Sequence, residues 1–122
     1  MYSEFADNLK SRTKQLAINA LAVLENVQFS NVTSVLVKQL TKSVTYVGAN
    51  YRSALRGKSK ADFISKISVV IEEADEALYW LELLYETKKI NESDFEKLHK
   101  ETNEILMIMS KTKSTTQENL KI

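Results

Sequence analysis

The chain has 122 residues, with two glycines, no proline and no cysteine. An average chain of this length would have about 9 glycines and 6 prolines, and all-β folds use these residues at their many turns. The composition therefore excludes most β-sandwiches and barrels and favours long helices, while a net charge of +1 excludes a strongly basic or strongly acidic protein.

The first residues and the missing cysteines limit where we expect the protein to reside. Without cysteine, the chain has no disulfide, thiolate nucleophile or thiolate metal site. The first residues have no apolar stretch of the kind found in signal peptides, and no stretch approaches the roughly 18 apolar residues of a membrane span. We therefore expect a cytoplasmic protein with no membrane partner.

Two amphipathic helices are predicted in the first half of the chain. Apolar residues at four- and seven-residue spacing indicate a first helix that ends near residues 28–31 and a second that begins near residues 30–33. The stripe of the first comprises Phe5, Leu9, Leu16, Ala20 and Leu24. The stripe of the second comprises Leu36, Leu40, Val44, Val47, Tyr51 and Leu55.

The two glycines have separate predicted roles. Gly48 lies inside the second helix, where glycine costs on the order of 1 kcal/mol relative to alanine, so we expect a neighbouring backbone to approach it closely. Gly57 follows that helix. Because glycine adopts the left-handed conformation at little cost, we expect Gly57 to close the helix in that conformation.

Capping patterns predict two further helices. Ser59, with Asp62 three residues later, indicates the start of a third helix that extends to about residue 88. Ser93 and Glu96 form the capping box expected at the start of a fourth. Residues 111–122 are polar and aperiodic, so we expect a domain over residues 1–110 and a frayed polar tail over residues 111–122.

Four amphipathic helices joined by three short connections define the fold class. Short connections place consecutive helices side by side and antiparallel, which predicts an all-α, up-down-up-down four-helix bundle. A three-helix alternative, in which the first two helices are fused, is less favoured because residues 26–31 are poor in helix-forming residues.

The sequence offers little for catalysis. Its single histidine leaves no Ser-His-Asp arrangement with the usual companions, and its two glycines cannot form a phosphate-binding loop. The pattern Glu96-x-x-His99 matches half of a di-iron bundle site, but the second histidine that such a site needs does not exist. Because His99 follows the core position Leu98, we expect a solvated surface side chain. We predict no catalytic residue, no metal, no cofactor and no enzyme.

The basic residues are concentrated in one segment. Residues 26–61 contain six basic residues and no acid, whereas residues 62–104 contain twelve acids and five lysines. The cations could contact nucleic-acid phosphates, with Tyr46 and Tyr51 stacking on bases. Alternatively, they could neutralise the acidic third helix, within one chain or between subunits. The candidate nucleic-acid-binding residues are Lys38, Lys42, Arg52, Arg56, Lys58 and Lys60.

Two further pairs are candidates for contacts between helices or subunits. Asn50 and Glu76 both lie beside apolar stripes, so we expect a buried or half-buried polar link between helices two and three. Tyr79 and Trp80 point about 100° apart on a helix, so one core contact cannot bury both unless it is wide. We expect them at an oligomer interface, with a wide core contact as the alternative.

Three stretches, at residues 42–56, 58–63 and 72–84, resemble the bacterial four-helix-bundle family that is also called the 23S rRNA intervening-sequence protein family. The most specific matches are Ala49-Asn50, the Lys-Ser-Lys-x-x-Phe sequence at residues 58–63, and Glu76. The resemblance covers roughly residues 5–110. Many members continue from Ala-Asn into a Glu-Gly pair, where this chain has Ser53 and Ala54.

The resemblance implies a four-helix bundle that assembles into a ring-like homopentamer without enzymatic activity. A related branch, the accessory variability determinant of diversity-generating retroelements, binds a reverse transcriptase and nucleic acid. We therefore expect a non-catalytic homo-oligomeric module that binds RNA or another nucleic acid through its basic second helix. The alternative is a structural or protein-docking ring that binds a protein partner and no nucleic acid.

Overall fold

The computed structural model describes residues 3–120, which form four α-helices joined by three short connections. The helices are α1 (Glu4–Leu24), α2 (Asn31–Leu55), α3 (Lys60–Glu86) and α4 (Glu92–Leu120). Helices α1 and α3 each pack against both α2 and α4, whereas α2 and α4 make no contact within residues 3–120. The predicted all-α four-helix bundle is thus confirmed, with α2 and α4 at opposite corners. No helix among the described residues is long and apolar enough to span a membrane.

One apolar face of each helix forms the core. The predicted stripes supply much of it, but Phe5 is 56% exposed because Ala6 and Leu9 fill the buried positions at that end of α1. Leu36 and Leu55 of the second stripe are only half-buried. The largest fully buried side chains are Tyr51, Leu9, Leu16, Leu40, Ile67, Leu81, Leu84, Ile105, Met109, Val44, Val47 and Val70.

Side-chain caps define where the helices begin. Ser59 begins α3 as predicted, because its hydroxyl accepts a hydrogen bond from the Asp62 N–H at 3.1 Å. For α4 the predicted cap at Ser93 is wrong. The Oδ1 atom of Asn91 accepts the N–H of Asp94 at 2.7 Å, which places Ser93 inside the first turn. Asparagine caps helices at least as well as serine, and it comes two residues earlier.

The end of α2 corrects the prediction for Gly57. No described glycine has a positive φ, so Gly57 does not adopt the left-handed conformation. A Cβ atom at this position would lie 3.0 Å from the Ala54 carbonyl oxygen and 3.2 Å from the Asp62 carboxylate. A Cβ would therefore crowd these atoms by a few tenths of an ångström, so glycine relieves the tight turn from α2 into α3.

The left-handed residue lies instead just after α3, which ends at Glu86, two residues before the predicted end near residue 88. Lys88 has a φ of 63° and follows the cap residue Thr87. The N–H of Lys89 donates to the Leu84 carbonyl at 2.8 Å, and the N–H of Lys88 donates to the Tyr85 carbonyl at 2.9 Å. This is the Schellman pattern, formed here without glycine.

Gly48 lies where α1 packs directly against α2. A Cβ atom on Gly48 would lie 3.5 Å from the backbone carbonyl carbon and oxygen of Thr13, which is buried in α1. The predicted close approach of a neighbouring backbone is therefore confirmed. Only ordinary van der Waals space separates the two helices at this point.

Helix α4 extends further than the sequence suggested. Residues 111–120, expected to fray, are helical, and residues 121–122 lie outside the described part of the chain. No glycine or proline interrupts this segment. The hydroxyls of Thr112 and Thr116 donate to the carbonyls of Ile108 and Thr112, at 2.9 and 2.8 Å, within the helix.

Candidate nucleic-acid interface

Four of the six candidate cations lie on one face of α2. At about 100° per residue, Lys38, Lys42, Arg52 and Arg56 all point within about 40° of a common direction. The buried Val47 lies on the opposite side of the helix, and all four cations are exposed. With a rise of about 1.5 Å per residue they form a row about 27 Å long. We call these four residues the basic ridge.

The remaining two cations continue from the end of the basic ridge. Lys58 lies in the connection that follows Arg56, and Lys60 is the first residue of α3. Both side chains are exposed. The backbone N–H of Lys58 donates to the Asp62 carboxylate at 3.1 Å, which fixes the turn. The fold therefore places all six candidate cations along α2 and its exit.

None of these six cations forms a salt bridge within residues 3–120. The acidic residues of α3 that form salt bridges pair with other residues. Asp62 pairs with Lys66 one turn later at 3.0 Å, and Glu82 pairs with His99 of α4 at 2.9 Å.

Two of the cations nevertheless act on carboxyls of α3. Lys42 favours the charged form of Glu73, and Lys58 assists Lys66 in lowering the pKa of Asp62. Neutralisation of the basic segment by α3 of the same chain, one of the two interpretations of the sequence, is therefore partial and involves no direct ion pair within the described residues.

The two tyrosines proposed for base stacking have different environments. Tyr46 is 45% exposed, and the Lys42 ammonium lies 5.8 Å from the centre of its ring. Tyr51 is buried in the core, where desolvation, and secondarily the charge of Asp7, raises the pKa of its hydroxyl to about 12. Only Tyr46 offers a face to a base, so the prediction for Tyr51 is wrong.

A groove runs between α1 and α2 beside the basic ridge. Its volume is about 640 Å³, and it contains the ridge residue Arg52. The sequence does not predict this groove, because the groove depends on the contact between Thr13 and Gly48. Its lining consists of Asp7, Lys10, Ser11, Thr13, Lys14, Ala17, Thr45, Gly48, Ala49 and Arg52.

The predicted polar link between Asn50 and Glu76 is not formed. The Asn50 amide donates to the Tyr46 carbonyl of its own helix at 2.8 Å, and Glu76 is exposed. The half-buried carboxylate of α3 that faces α2 at this level is Glu73, three residues earlier, which lies near Ser43 and Lys42. Helical spacing points to Glu73, since it lies three residues after the buried Val70.

The environment of Glu73 disfavours its charge. Burial raises the pKa of this carboxyl, and the negative charges of Glu76 and Glu72 add to the increase. The Lys42 ammonium and the Ser43 hydroxyl act in the opposite direction but do not cancel it. Its Oε1 atom is buried without a hydrogen-bond partner among the described residues.

The aromatic pair on α3 is divided between core and surface. The ring centres of Tyr79 and Trp80 are 5.1 Å apart in an edge-to-face arrangement, and Tyr79 is 55% exposed. Trp80 packs against the core, and its buried Nε1–H has no acceptor within residues 3–120. Tyr79 is therefore available to another molecule, whereas Trp80 mainly serves the core.

His99 belongs to the contact between α3 and α4. Its Nε2 atom lies 2.9 Å from the Glu82 carboxylate, and its ring centre lies 5.0 Å from that of Phe95. The expected solvated histidine is therefore half-buried and engaged with its neighbours. Within the described chain, no group of three or more histidine, cysteine, aspartate or glutamate residues could hold a metal ion.

These features define a four-helix-bundle protein with an exposed cationic edge. The model of the family described as "23S rRNA-intervening sequence protein" matches residues 8–111. The chain therefore belongs to the 23S rRNA-intervening sequence protein family, which confirms the resemblance noted in the sequence. No catalytic family is indicated.

One solved structure supports the same assignment. The chain is similar to a protein of unknown function from the S23 ribosomal protein family of Bacteroides thetaiotaomicron. The two are 30% identical, with a TM-score of 0.80, over 89% of this chain and 97% of the other. A search of curated proteins found no match.

Proposed function

We propose that the chain is a non-catalytic, cytoplasmic RNA-binding module that contacts phosphates through the basic ridge, Lys58 and Lys60. The observation that supports this most directly is the exposure of six cations that form no salt bridge within residues 3–120. RNA is favoured over DNA because the family description refers to 23S rRNA.

This kind of binding depends steeply on salt, because each phosphate contact releases condensed counterions. The logarithm of the binding constant falls with the logarithm of the salt concentration by about 0.7 per contact for a single strand. Six contacts therefore give a slope of about −4. The contacts are to the RNA backbone, so affinity varies little with base sequence.

The test compares two variants that lose the same charge from different corners of the bundle. In the first, Arg52, Arg56, Lys58 and Lys60 are replaced by alanine. In the control, four lysines of α4, on the side of the bundle away from α2, are replaced by alanine. The control residues are Lys97, Lys100, Lys111 and Lys113.

We expect the first variant to lose most of its RNA affinity and about three units of salt slope, at about 0.7 per contact. The control keeps both, because the charge that it loses lies away from the ridge. Equal losses in the two variants would show that binding depends on net charge alone. Salt-independent binding by the unchanged protein, or no binding at low salt, would contradict the proposal outright.

A second observation favours self-assembly. Exposed apolar side chains include Tyr79 on α3, Val32 and Val35 near the start of α2, and Phe29 in the connection before it. Exposed apolar surface of this kind is typical of protein interfaces. We propose a homo-oligomer in which Tyr79 and Trp80 lie at or near the subunit contact, and the family resemblance favours a pentamer.

Native mass spectrometry measures the subunit number directly. We expect a pentamer that dissociates when Tyr79 is replaced by serine, with unchanged helix content in circular dichroism. A monomer at all concentrations would contradict self-assembly. A ring that binds no RNA but retains a protein partner after nuclease treatment would support the alternative function, a structural or docking ring.

A further inference from the structure

The groove between α1 and α2 adds two cations that the basic ridge does not include. Lys10 and Lys14 line it from α1, and Arg52 lines it from α2. Asp7 is its single acid, so the lining has three positive charges and one negative charge. The groove therefore carries an excess of positive charge where the ridge meets α1.

The contact between the two helices fixes where these charges lie. Because α1 and α2 are antiparallel and meet at Thr13 and Gly48, Lys10 is level with Tyr51 and Lys14 is level with Val47. Arg52 lies one residue beyond Tyr51. The three cations therefore line the groove within a span of about five residues, or about 7.5 Å, along the helix axes.

Apart from the exposed Ser11, the small side chains that line the groove have either no polar group or a hydroxyl that already donates within its own helix. Ala17, Gly48 and Ala49 carry no side-chain polar group. The Thr13 hydroxyl donates to the Lys10 carbonyl at 3.1 Å, and the Thr45 hydroxyl donates to the Thr41 carbonyl at 2.8 Å. Such side chains do not select bases by hydrogen bonds, whereas the cations of the groove attract an anionic backbone of any sequence.

We propose that this groove seats the phosphodiester backbone of a single RNA strand, which continues along the basic ridge through Arg52. This inference rests on the proposed RNA binding. Arg52 can hold a phosphate with two parallel hydrogen bonds, and Lys10 and Lys14 contribute point charges. The strand crosses from α1 onto α2 and passes the exposed ring of Tyr46, which an unpaired base can stack on.

The dimensions of the groove favour a single strand over a duplex. Because α1 and α2 touch at Thr13 and Gly48, the groove is a shallow furrow of about 640 Å³, which can seat part of one strand but is too small for a double helix. A base paired within a duplex also offers no free face to Tyr46. A duplex can therefore contact the basic ridge but cannot enter the groove.

The test removes the α1 cations and leaves the basic ridge intact. In one variant Lys10 and Lys14 are replaced by glutamine, which preserves helix propensity. The matched control replaces Lys97 and Lys100 of α4 by glutamine. Fluorescence anisotropy with a labelled single-stranded RNA oligonucleotide measures affinity across a salt series, and a hairpin of the same composition serves as the duplex probe.

We expect the groove variant to lose about 1.4 units of salt slope with the single strand, at about 0.7 per phosphate, and the control to lose none. With the hairpin, the groove variant and the control should behave alike. An unchanged slope in the groove variant, while changing Lys38 and Lys42 to glutamine still weakens binding, would overturn this inference and leave the proposed function intact. No RNA binding by the unchanged protein would overturn both.

An uncharged, larger side chain in the groove tests the role of its shape independently of its charge. Ala49 is exposed in α2 and lines the groove, so Ala49→Gln partly fills it without changing the net charge or breaking the helix. We expect several-fold weaker binding of the single strand and unchanged binding of the hairpin. Equal binding of the single strand by Ala49→Gln and the unchanged protein would contradict a backbone seated in the groove.

Discussion

The α3–α4 half and the α1–α2 half of the bundle use their charges differently. In the first, charged and aromatic side chains meet across the helix boundary: Glu82 pairs with His99, and Tyr85 stacks on Phe95 with ring centres 4.3 Å apart. In the second, the cations of α2 point away from the core and form no salt bridge within residues 3–120. The contrast indicates that the charges between α3 and α4 stabilise the fold, whereas the exposed cations of α2 are available to a partner.

The contacts of α1 show how one half is packed and how it is joined to the other. Helix α1 meets α2 through small residues around Gly48, and it is joined to α4 by the ion pair of Arg12 with Glu101. Substitutions at these contacts, followed by the free energy of unfolding, test which groups of each half support the fold.

Gly48 gives the largest expected effect. We expect Gly48→Leu to destabilise the protein by about 1–3 kcal/mol, because a large side chain must displace the Thr13 backbone. In contrast, Gly48→Ala adds one methyl in ordinary contact and removes the helix penalty of glycine, so it should stabilise by up to about 1 kcal/mol. Urea unfolding measures both, and similar destabilisation by both variants would contradict the geometry of this contact.

Glu73, at the boundary between the two halves, gives a pH-dependent effect. Its pKa is raised in the folded state from an ordinary 4.5, mainly by burial, so the folded protein binds this proton more tightly than the unfolded chain. The stability that it contributes is fully present below pH 4.5 and is lost as the pH rises through the raised pKa.

We therefore expect Glu73→Gln to stabilise the protein at pH 7 by at most about 1 kcal/mol, and the gain to vanish in acid. Thermal unfolding across a pH series measures this. The exposed neighbour Asp75 serves as the control, and Asp75→Asn should change the stability by less than about 0.5 kcal/mol at any pH. A loss of stability in Glu73→Gln at neutral pH would contradict the assignment.

Arg12 tests the link between the two halves. Its guanidinium donates through Nε to Glu101 at 2.9 Å and approaches Glu104 at 3.4 Å. Arg12→Met keeps most of the side-chain volume, so the loss of stability measures the contribution of the ion pair. For a partly exposed pair we expect this loss to be about 0.2–1 kcal/mol. We expect the loss to shrink in high salt, and a salt-independent loss would assign the effect to packing instead.

The basic ridge gives the smallest expected change in stability. Changing Lys38 and Lys42 to glutamine should alter the free energy of unfolding by less than about 0.5 kcal/mol, because neither side chain forms a salt bridge in the described chain. The same change should weaken RNA binding. A clear loss of stability would indicate that these cations support the fold after all.

Local signals in the sequence predicted the helices and some of their ends. Ser30 and Ser59 begin helices because a serine hydroxyl accepts a nearby N–H whatever surrounds it. Asn91 was missed because Ser93, with Glu96 three residues later, matches the capping box. Lys88 was missed because glycine is the residue expected in the left-handed conformation. The position of Gly57 was predicted, but its backbone conformation depends on how tightly α2 turns into α3.

The candidate site was only partly predictable. Composition located the six cations, and helical spacing alone places four of them on one face of α2. Whether α3 neutralises them depends on packing, and so does the groove that Lys10 and Lys14 share with Arg52. The choice of Glu76 over Glu73 failed because an error of three residues along the acidic run turns a side chain by about 60°.

Lysine footprinting of the unchanged protein tests the central claim most directly. Mass spectrometry would compare acetylation of each lysine with and without single-stranded RNA at low salt. We expect RNA to protect Lys38 and Lys42 on the basic ridge and to leave Lys97 and Lys100 of α4 as reactive as before. Equal protection of all four, or of none, would contradict an RNA interface on α2.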